Sequence, residues 1–222
     1  MYRIDTDELI KDSYRQVASQ GDVYNFLVSF ITKNESFVIG VEGASASGKT
    51  TFVTNLVDAF PQETVASISL DDYVVMSKEE MVVKGIETRY DWCTRDRERF
   101  LADLKALRSG KSIEKPKQDF LLERPSQETE TVAPKPYILV DGNLDITDVC
   151  DLVIFLVAPD EVLVQRRFER DKRKSIHSDE EMLMESIQNS IEFYHIFLEP
   201  HMQKADFILD THAQKLYQKN SN

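Results

Sequence analysis

Gly43-Ala44-Ser45-Ala46-Ser47-Gly48-Lys49-Thr50 has the spacing G-x-x-x-x-G-K-[ST], that of a phosphate-binding P-loop. Glycines at 43 and 48 let the backbone curl without Cβ clashes. Successive N–H groups then point inward toward phosphate oxygens, helped by the positive end of the helix that follows. Lys49 would reach the β- and γ-phosphates, and the Thr50 hydroxyl would ligate Mg²⁺. A second acidic candidate is the pair Asp71-Asp72 at the end of a β-branched-rich run. Ligands of open parallel sheets sit beyond the carboxyl ends of strands, but Asp also starts turns and caps helices, and position alone leaves both readings open. A third candidate is basic. Arg166, Arg167, Arg170, Lys172, Arg173 and Lys174 crowd one stretch, with Arg166 and Arg170 at a spacing that shares a helix face. This is either a solvated helix end or a clamp for phosphates, and in a chain of net charge −12 the local concentration favours the clamp.

These residues need elements to hold them. The apolar run Phe37 to Val41 reads as a buried strand before the loop. Thr51 to Phe60, with Phe52, Val53, Leu56, Val57 and Phe60, reads as the helix after it, ended by Pro61. Thr64 to Leu70 predicts a second strand that delivers Asp71. Residues 1–34 carry mixed helical spacings broken at Gly21 and predict two short helices outside the sheet. Arg95 to Arg108 predicts an amphipathic helix closed by Ser109-Gly110. Residues 111–136, with Pro116, Pro125, Pro134 and Pro136, predict an exposed hairpin or loop with Asp119-Phe120 at its base, or else a linker. Tyr137 to Val140, ending in Asp141-Gly142, and Asp151 to Val157 predict buried strands. Pro159 opens a helix to about Arg173. Ser178-Asp179-Glu180-Glu181 reads as a capping box before a long helix toward Leu198. Ala205 to Asp210 predicts a last strand, followed by a polar tail. Strands alternating with helices imply an α/β fold, one doubly wound, mainly parallel sheet in a single domain spanning residues 1–222.

Composition narrows the function. Hydrophobic content of 41% and charged content of 30% describe an ordinary globular chain. The acidic balance argues against general affinity for nucleic acid or anionic membrane. Cys93 and Cys150 form no motif, and no run is long enough to span a bilayer, so a cytoplasmic location with free thiols is expected. The histidines have no metal-ligand spacing.

Several short motifs follow one another in a recognisable order: Gly40-Val41-Glu42-Gly43 with the loop to Thr50, Asp71-Asp72-Tyr73, Tyr90-Asp91-Trp92, Gly110 with Pro116 and Asp119-Phe120, Val140-Asp141-Gly142, Arg166-Arg167 with Arg170-Asp171, and Ala205-Asp206-Phe207-Ile208. Together, from about Phe37 to Asp210, they resemble the uridine kinase and phosphoribulokinase branch of P-loop kinases. The resemblance implies a P-loop NTPase-type sheet with helices on both faces, a hairpin excursion and a basic lid at about residues 166–177. It implies ATP held by Gly43 to Thr51 and Mg²⁺ at Thr50 and, through water, Asp141. Asp71 would take the proton of the attacking hydroxyl, and Lys49, Arg167 and Arg170 would offset phosphate charge. Tyr73, Asp91, Trp92, Gln118 and Arg167 would line the acceptor, a small ribose-containing molecule with a nucleoside expected first. The chain departs from the family pattern where Gln118 replaces Tyr, Trp92 replaces His and Asp141 replaces Glu, and a second arginine pair after Asp171 is missing. Ribose recognition is therefore expected to persist while pyrimidine selection is relaxed or redirected. The competing expectations are a nucleotide-dependent switch or binding module, against which the chain offers no N-K-x-D, and a kinase for another metabolite such as a phosphosugar. The acceptor is the one partner expected, and a homo-oligomer is left open.

Overall fold

The computed structural model describes residues 4–33, 37–86, 88–119, 124–173 and 179–220. In chain order these form α1 (Thr6–Ser13), β1 (Tyr14–Ser19), α2 (Asp22–Ile31), β2 (Phe37–Gly43), α3 (Lys49–Ala59), β3 (Val65–Ser69), α4 (Lys78–Val83) and α5 (Arg97–Arg108). The hairpin β4 (Ile113–Asp119) and β5 (Arg124–Val132) follows. Then come β6 (Tyr137–Asp141), β7 (Leu152–Val157), α6 (Asp160–Arg173), α7 (Glu180–Phe193), β8 (Phe207–Asp210) and β9 (Lys215–Lys219).

The main sheet runs β1-β9-β8-β7-β2-β6-β3 and is parallel except at β9, which pairs antiparallel with β8 and β1. Its central strands are apolar on both faces because both faces are covered. On one face α2 and α3 bring Leu27, Ile31, Phe52 and Leu56 against Ile39, Leu139, Ile154 and Phe207. On the other, α5 packs Phe100, Leu104 and Leu107 against Val38, Ile68 and Val140. Beside it, α6 and residues 194–205 cover Val153, Phe155 and Ile208.

Register positions the chemistry. Val41 pairs with Asp141, and Ser69 with Asp141, so the carboxyl ends of β2, β6 and β3 finish level. From β2 the chain crosses to β3 on one side, returns to β6, then continues with β7 on the other. The loops after β2 and β6 diverge at this reversal and open a crevice.

Several expectations are refined, and that of a hairpin at residues 111–136 is met in part. The N-terminal segment is not two helices alone: between them β1 forms an edge strand on β9, and the polar tail supplies β9 itself. Both were hidden because these two short strands at the margin of the sheet carry polar, half-exposed residues with little alternation. The helix expected from Arg95 starts at Arg97, because Asp96 accepts from Arg99 N as its cap and Arg95 is drawn inward. Residues 113–132 form a hairpin rather than a linker, and Asp119 pairs with Arg124 at its turn end, opposite to its base at Ile113 and Val132; Phe120 lies outside the described residues. The N-cap of α7 is Asp179, which accepts from Glu181 N, while Ser178 and the lid residues 174–177 lie outside the described residues. Among those described, no helix is long and apolar enough to cross a membrane.

Candidate active site

The loop between β2 and α3 has the strained backbone that a phosphate cradle needs. Gly43 and Gly48 hold φ +148° and +100°, and Ala46 is left-handed at +66°. A Cβ on Gly43 would lie 2.6 Å from the Leu156 carbonyl oxygen, so side chains are excluded there. Lys49 Nζ donates to the carbonyls of Gly43 and Ala44 at 2.7 and 2.8 Å. Burial pushes its pKa down, against the opposing charges of Asp71 and Asp141. Ser47 Oγ is buried with no hydrogen-bond partner among the described residues. The loop bounds a cleft of about 520 Å³, whose lining includes Ser45, Lys49, Thr50, Thr51, Asp71 and Asp141. An inward-turned cradle, a lysine and an exposed hydroxyl fit a bound triphosphate. Thr50 and Asp141 fit Mg²⁺, a cation usually held by one or two carboxylates together with substrate phosphates. Burial raises the Asp141 pKa to about 6 although Lys49 opposes the rise, and Ser69 Oγ donates to its Oδ2 at 3.3 Å.

Asp71 and Asp72 part company. The Asp71 side chain is 47% exposed and lines the cleft, whereas Asp72 is 10% exposed and holds Lys115 Nζ of β4 at 2.6 Å. Asp71 Oδ1 accepts from Arg95 Nη2 at 2.9 Å. Arg95 is almost wholly buried. Its Nε donates to the Leu70 carbonyl at 2.9 Å, its Nη1 to Thr94 Oγ1 at 2.8 Å, and its Nη2 also reaches Asn143 Oδ1 at 3.4 Å. Arg95 thus ties the turn after β3 to the loop after β6. Neither Arg95 nor Asn143 was singled out from sequence; the partners of Arg95 lie 25 and 48 residues away at Leu70 and Asn143, so nothing local marks it.

Glu42, the residue before the loop, is fully buried. Its Oε1 accepts from Ile146 N at 2.9 Å, its Oε2 has no partner among the described residues, and burial pushes its pKa up to about 8.

On the basic helix, Arg166 and Arg170 face the cleft. Arg166 donates to Thr211 Oγ1 at 2.9 Å, and both terminal nitrogens of Arg170 stand 3.4 Å from Ser45 Oγ on the P-loop. Arg167 turns aside: its Nε donates to Asp171 Oδ2 at 3.3 Å, and its Nη1 is buried without a partner among the described residues. Asp171 also accepts from Arg170 Nε at 2.7 Å; burial alone would raise its pKa, but the two arginines hold it below the usual value.

The expected acceptor residues divide as well. Tyr73 is 1% exposed, packs edge-on against Phe100 and donates to Asp103 Oδ2, so it presents nothing to the cleft. Asp91 is exposed and accepts from Cys93 N, capping a short turn. Trp92 gives its indole N–H to the Asp145 carbonyl and carries the Arg97 guanidinium over its ring. Gln118 is buried in β4.

Comparison with known proteins gives a consistent frame. The family described as "Phosphoribulokinase / Uridine kinase family" matches residues 38–217. A protein named uridine kinase from Ligilactobacillus salivarius is 30% identical over 183 residues, which cover 80% of this chain and 86% of that one. Among solved structures, a putative fructose transport system kinase from Silicibacter sp. TM1040 superposes with a TM-score of 0.66 at 17% identity, over 82% of this chain and 94% of the other. The D-glycerate 3-kinase from Cryptococcus neoformans var. grubii gives 0.64 at 16% identity, over 90% and 100%. At such identities these two structures speak to the fold.

Proposed function

The chain belongs to the phosphoribulokinase / uridine kinase family of ATP-dependent kinases, and from that premise we propose that it transfers the γ-phosphate of ATP to a hydroxyl of a small ribose-containing acceptor, a nucleoside first. The observation that carries this is the meeting of Lys49, Asp71, Asp141 and Arg170 in one cleft with the P-loop. Phosphoryl transfer needs positioning and charge neutralisation more than covalent help. Lys49 and the loop N–H groups hold the β- and γ-phosphates. Asp71, anchored through one oxygen by Arg95, keeps the other to accept the hydrogen bond of the attacking hydroxyl and take its proton. Arg170 stands over the loop at Ser45 and offsets charge that develops during transfer. Arg167 reaches the phosphates only if it leaves Asp171. Mg²⁺, held at Thr50 and at Asp141 through water, would supply further charge neutralisation.

Asp91 is the candidate for sugar hydroxyls and Gln118 for a base edge. Because Trp92 spends its single donor on Asp145, we expect it to shape the site without reading a base. The names of the relatives span uridine, fructose and D-glycerate, so the acceptor must be found by assay. We extend the proposal to a cytoplasmic enzyme; Cys93 and Cys150 are free.

The test is ADP release with ATP and Mg²⁺ across uridine, cytidine, purine nucleosides, nicotinamide riboside and phosphosugars. A ribose-bearing acceptor should stimulate release, and Lys49→Ala should abolish it without unfolding the chain. Clear preference for uridine would restore plain uridine kinase. A winning acceptor without ribose would remove Asp91 from its role. ATP binding with no acceptor-dependent release would leave a nucleotide-binding module.

A further inference from the structure

We infer that the segment ahead of the P-loop strand completes the nucleotide site: Val23 and Tyr24, at the start of α2, form with Phe52 the apolar wall against which the base of a nucleoside triphosphate lies. This rests on the nucleotide reading above and deepens it. Lys49 faces Asp71 and Asp141, so the γ-phosphate belongs at that end of the cleft. The nucleoside must then run the other way, along the first turn of α3. There Phe52 stacks on Tyr24, with ring centroids 5.6 Å apart and planes at 30°.

Leu209, Thr211 and Gln214, from the end of β8 and its turn to β9, line the same cleft as Val23, Tyr24 and Phe52. Thr211 lies beside the P-loop, its Cγ2 4.0 Å from where a Cβ on Gly48 would stand. The base would lie between these two groups of side chains, which line one cleft. Gln214 is the polar group placed for its edge; its Nε2 donates to the Thr211 carbonyl at 2.9 Å.

The wall is built rather than loosely laid on. Val23, Leu27 and Ile31 are buried against α3 and the sheet. Asn55 Nδ2 of α3 donates to the Tyr24 hydroxyl at 3.1 Å. Gln20 N donates to the Gln214 carbonyl at 2.7 Å and joins the N-terminal segment to the β8–β9 turn. The family match begins only at residue 38, so Val23 and Tyr24 come from outside the matched region while Phe52 lies within it.

The test separates base from phosphate. Dissociation constants of ATP and of inorganic tripolyphosphate, each with Mg²⁺, are measured by calorimetry on the unaltered chain, Tyr24→Phe and Tyr24→Ala. Losing an aromatic face under a base costs about ten-fold in affinity. Tyr24→Ala should therefore weaken ATP about ten-fold and leave tripolyphosphate unchanged, while Tyr24→Phe should match the unaltered chain for both. Photolabelling of the unaltered chain with 8-azido-ATP should mark the peptide containing residues 20–31, and this readout decides the matter should Tyr24→Ala fail to fold. Equal weakening of both ligands, unchanged ATP affinity in Tyr24→Ala, or label confined to other peptides would overturn the wall. Tripolyphosphate binding as tightly as ATP to the unaltered chain would overturn it while sparing the phosphate cradle. Failure of both ligands to bind the unaltered chain would overturn the nucleotide reading and the wall with it.

Discussion

Asp71 reaches the cleft with one oxygen on Arg95, while its neighbour Asp72 is buried under the hairpin on Lys115. The two should respond differently to the same change. Asp71→Asn should cut turnover by ~10²-fold or more with little effect on ATP affinity, the signature of a lost base. Asp72→Asn should show its effect first in stability. Arg95→Lys keeps the charge but loses the fork that spans Leu70, Thr94, Asp71 and Asn143; kcat should fall while the KM for ATP holds. A crippling Asp72→Asn beside a mild Asp71→Asn would reverse the assignment. Glu42 gives a test in pH. Its pKa is raised from 4.5 to about 8 by burial, so the folded chain binds this proton more tightly than the unfolded chain does. That stabilisation is fully present below about pH 4.5 and is lost as pH rises through about 8, an upper bound of roughly 5 kcal/mol. Glu42→Gln mimics the protonated acid. The variant should melt higher than the unaltered chain at pH 8, with the gap closing toward pH 5. A gap constant across that range would show Glu42 to be charged throughout.

A lysine of the hairpin, Lys115, reaches the turn that carries the site. Lys115 Nζ lies 2.6 Å from Asp72 Oδ2 and 3.0 Å from Glu130 Oε2, with the Lys115 and Asp72 side chains only 8% and 10% exposed. Removing one partner of such a pair strands the other charge in the interior and costs about 3–5 kcal/mol. Lys115→Met should lower the denaturation free energy by that order, and Lys115→Met with Asp72→Leu should recover most of it. A double variant no more stable than the single one would mean the pair is not what holds β4 to the turn after β3. Because that turn also carries Asp71, the single variant should lose turnover beyond its loss of stability.

At the scale of the whole chain, α1 and β1 connect to a distant segment through Tyr14, which is 5% exposed and whose hydroxyl lies 2.9 and 2.8 Å from the carbonyls of Met202 and Ala205. Tyr14→Ala should cost about 3 kcal/mol, or roughly 6–12 °C for a chain of this size. Trp92, the sole tryptophan, reports from the opposite region beside α5. If residues 1–222 fold as one domain, Trp92 fluorescence and far-ultraviolet circular dichroism should shift together in this variant. An unshifted fluorescence transition would show two separable units.

What the sequence determined by itself was whatever neighbouring residues encode. The P-loop, strands over 37–41, 137–140 and 151–157, an amphipathic helix ending at Arg108 and a carboxylate after β3 are written in spacing and apolar runs, because local backbone preference and burial of one stretch suffice to set them. The tertiary structure decided choices between residues of the same type. It put Asp71 rather than Asp72 in the cleft, turned Arg166 and Arg170 inward and Arg167 aside, and drew Arg95 out of the start of a helix into the interior. It also paired β1 with the polar tail. Arg167 turns to Asp171 only four residues on, but the other choices turn on partners far along the chain: 24 residues from Arg95 to Asp71, 45 from Arg166 to Thr211, 125 from Arg170 to Ser45. A charge finds its partner only when folding brings the two together, and desolvation then fixes which of several equivalent side chains is left facing the ligand.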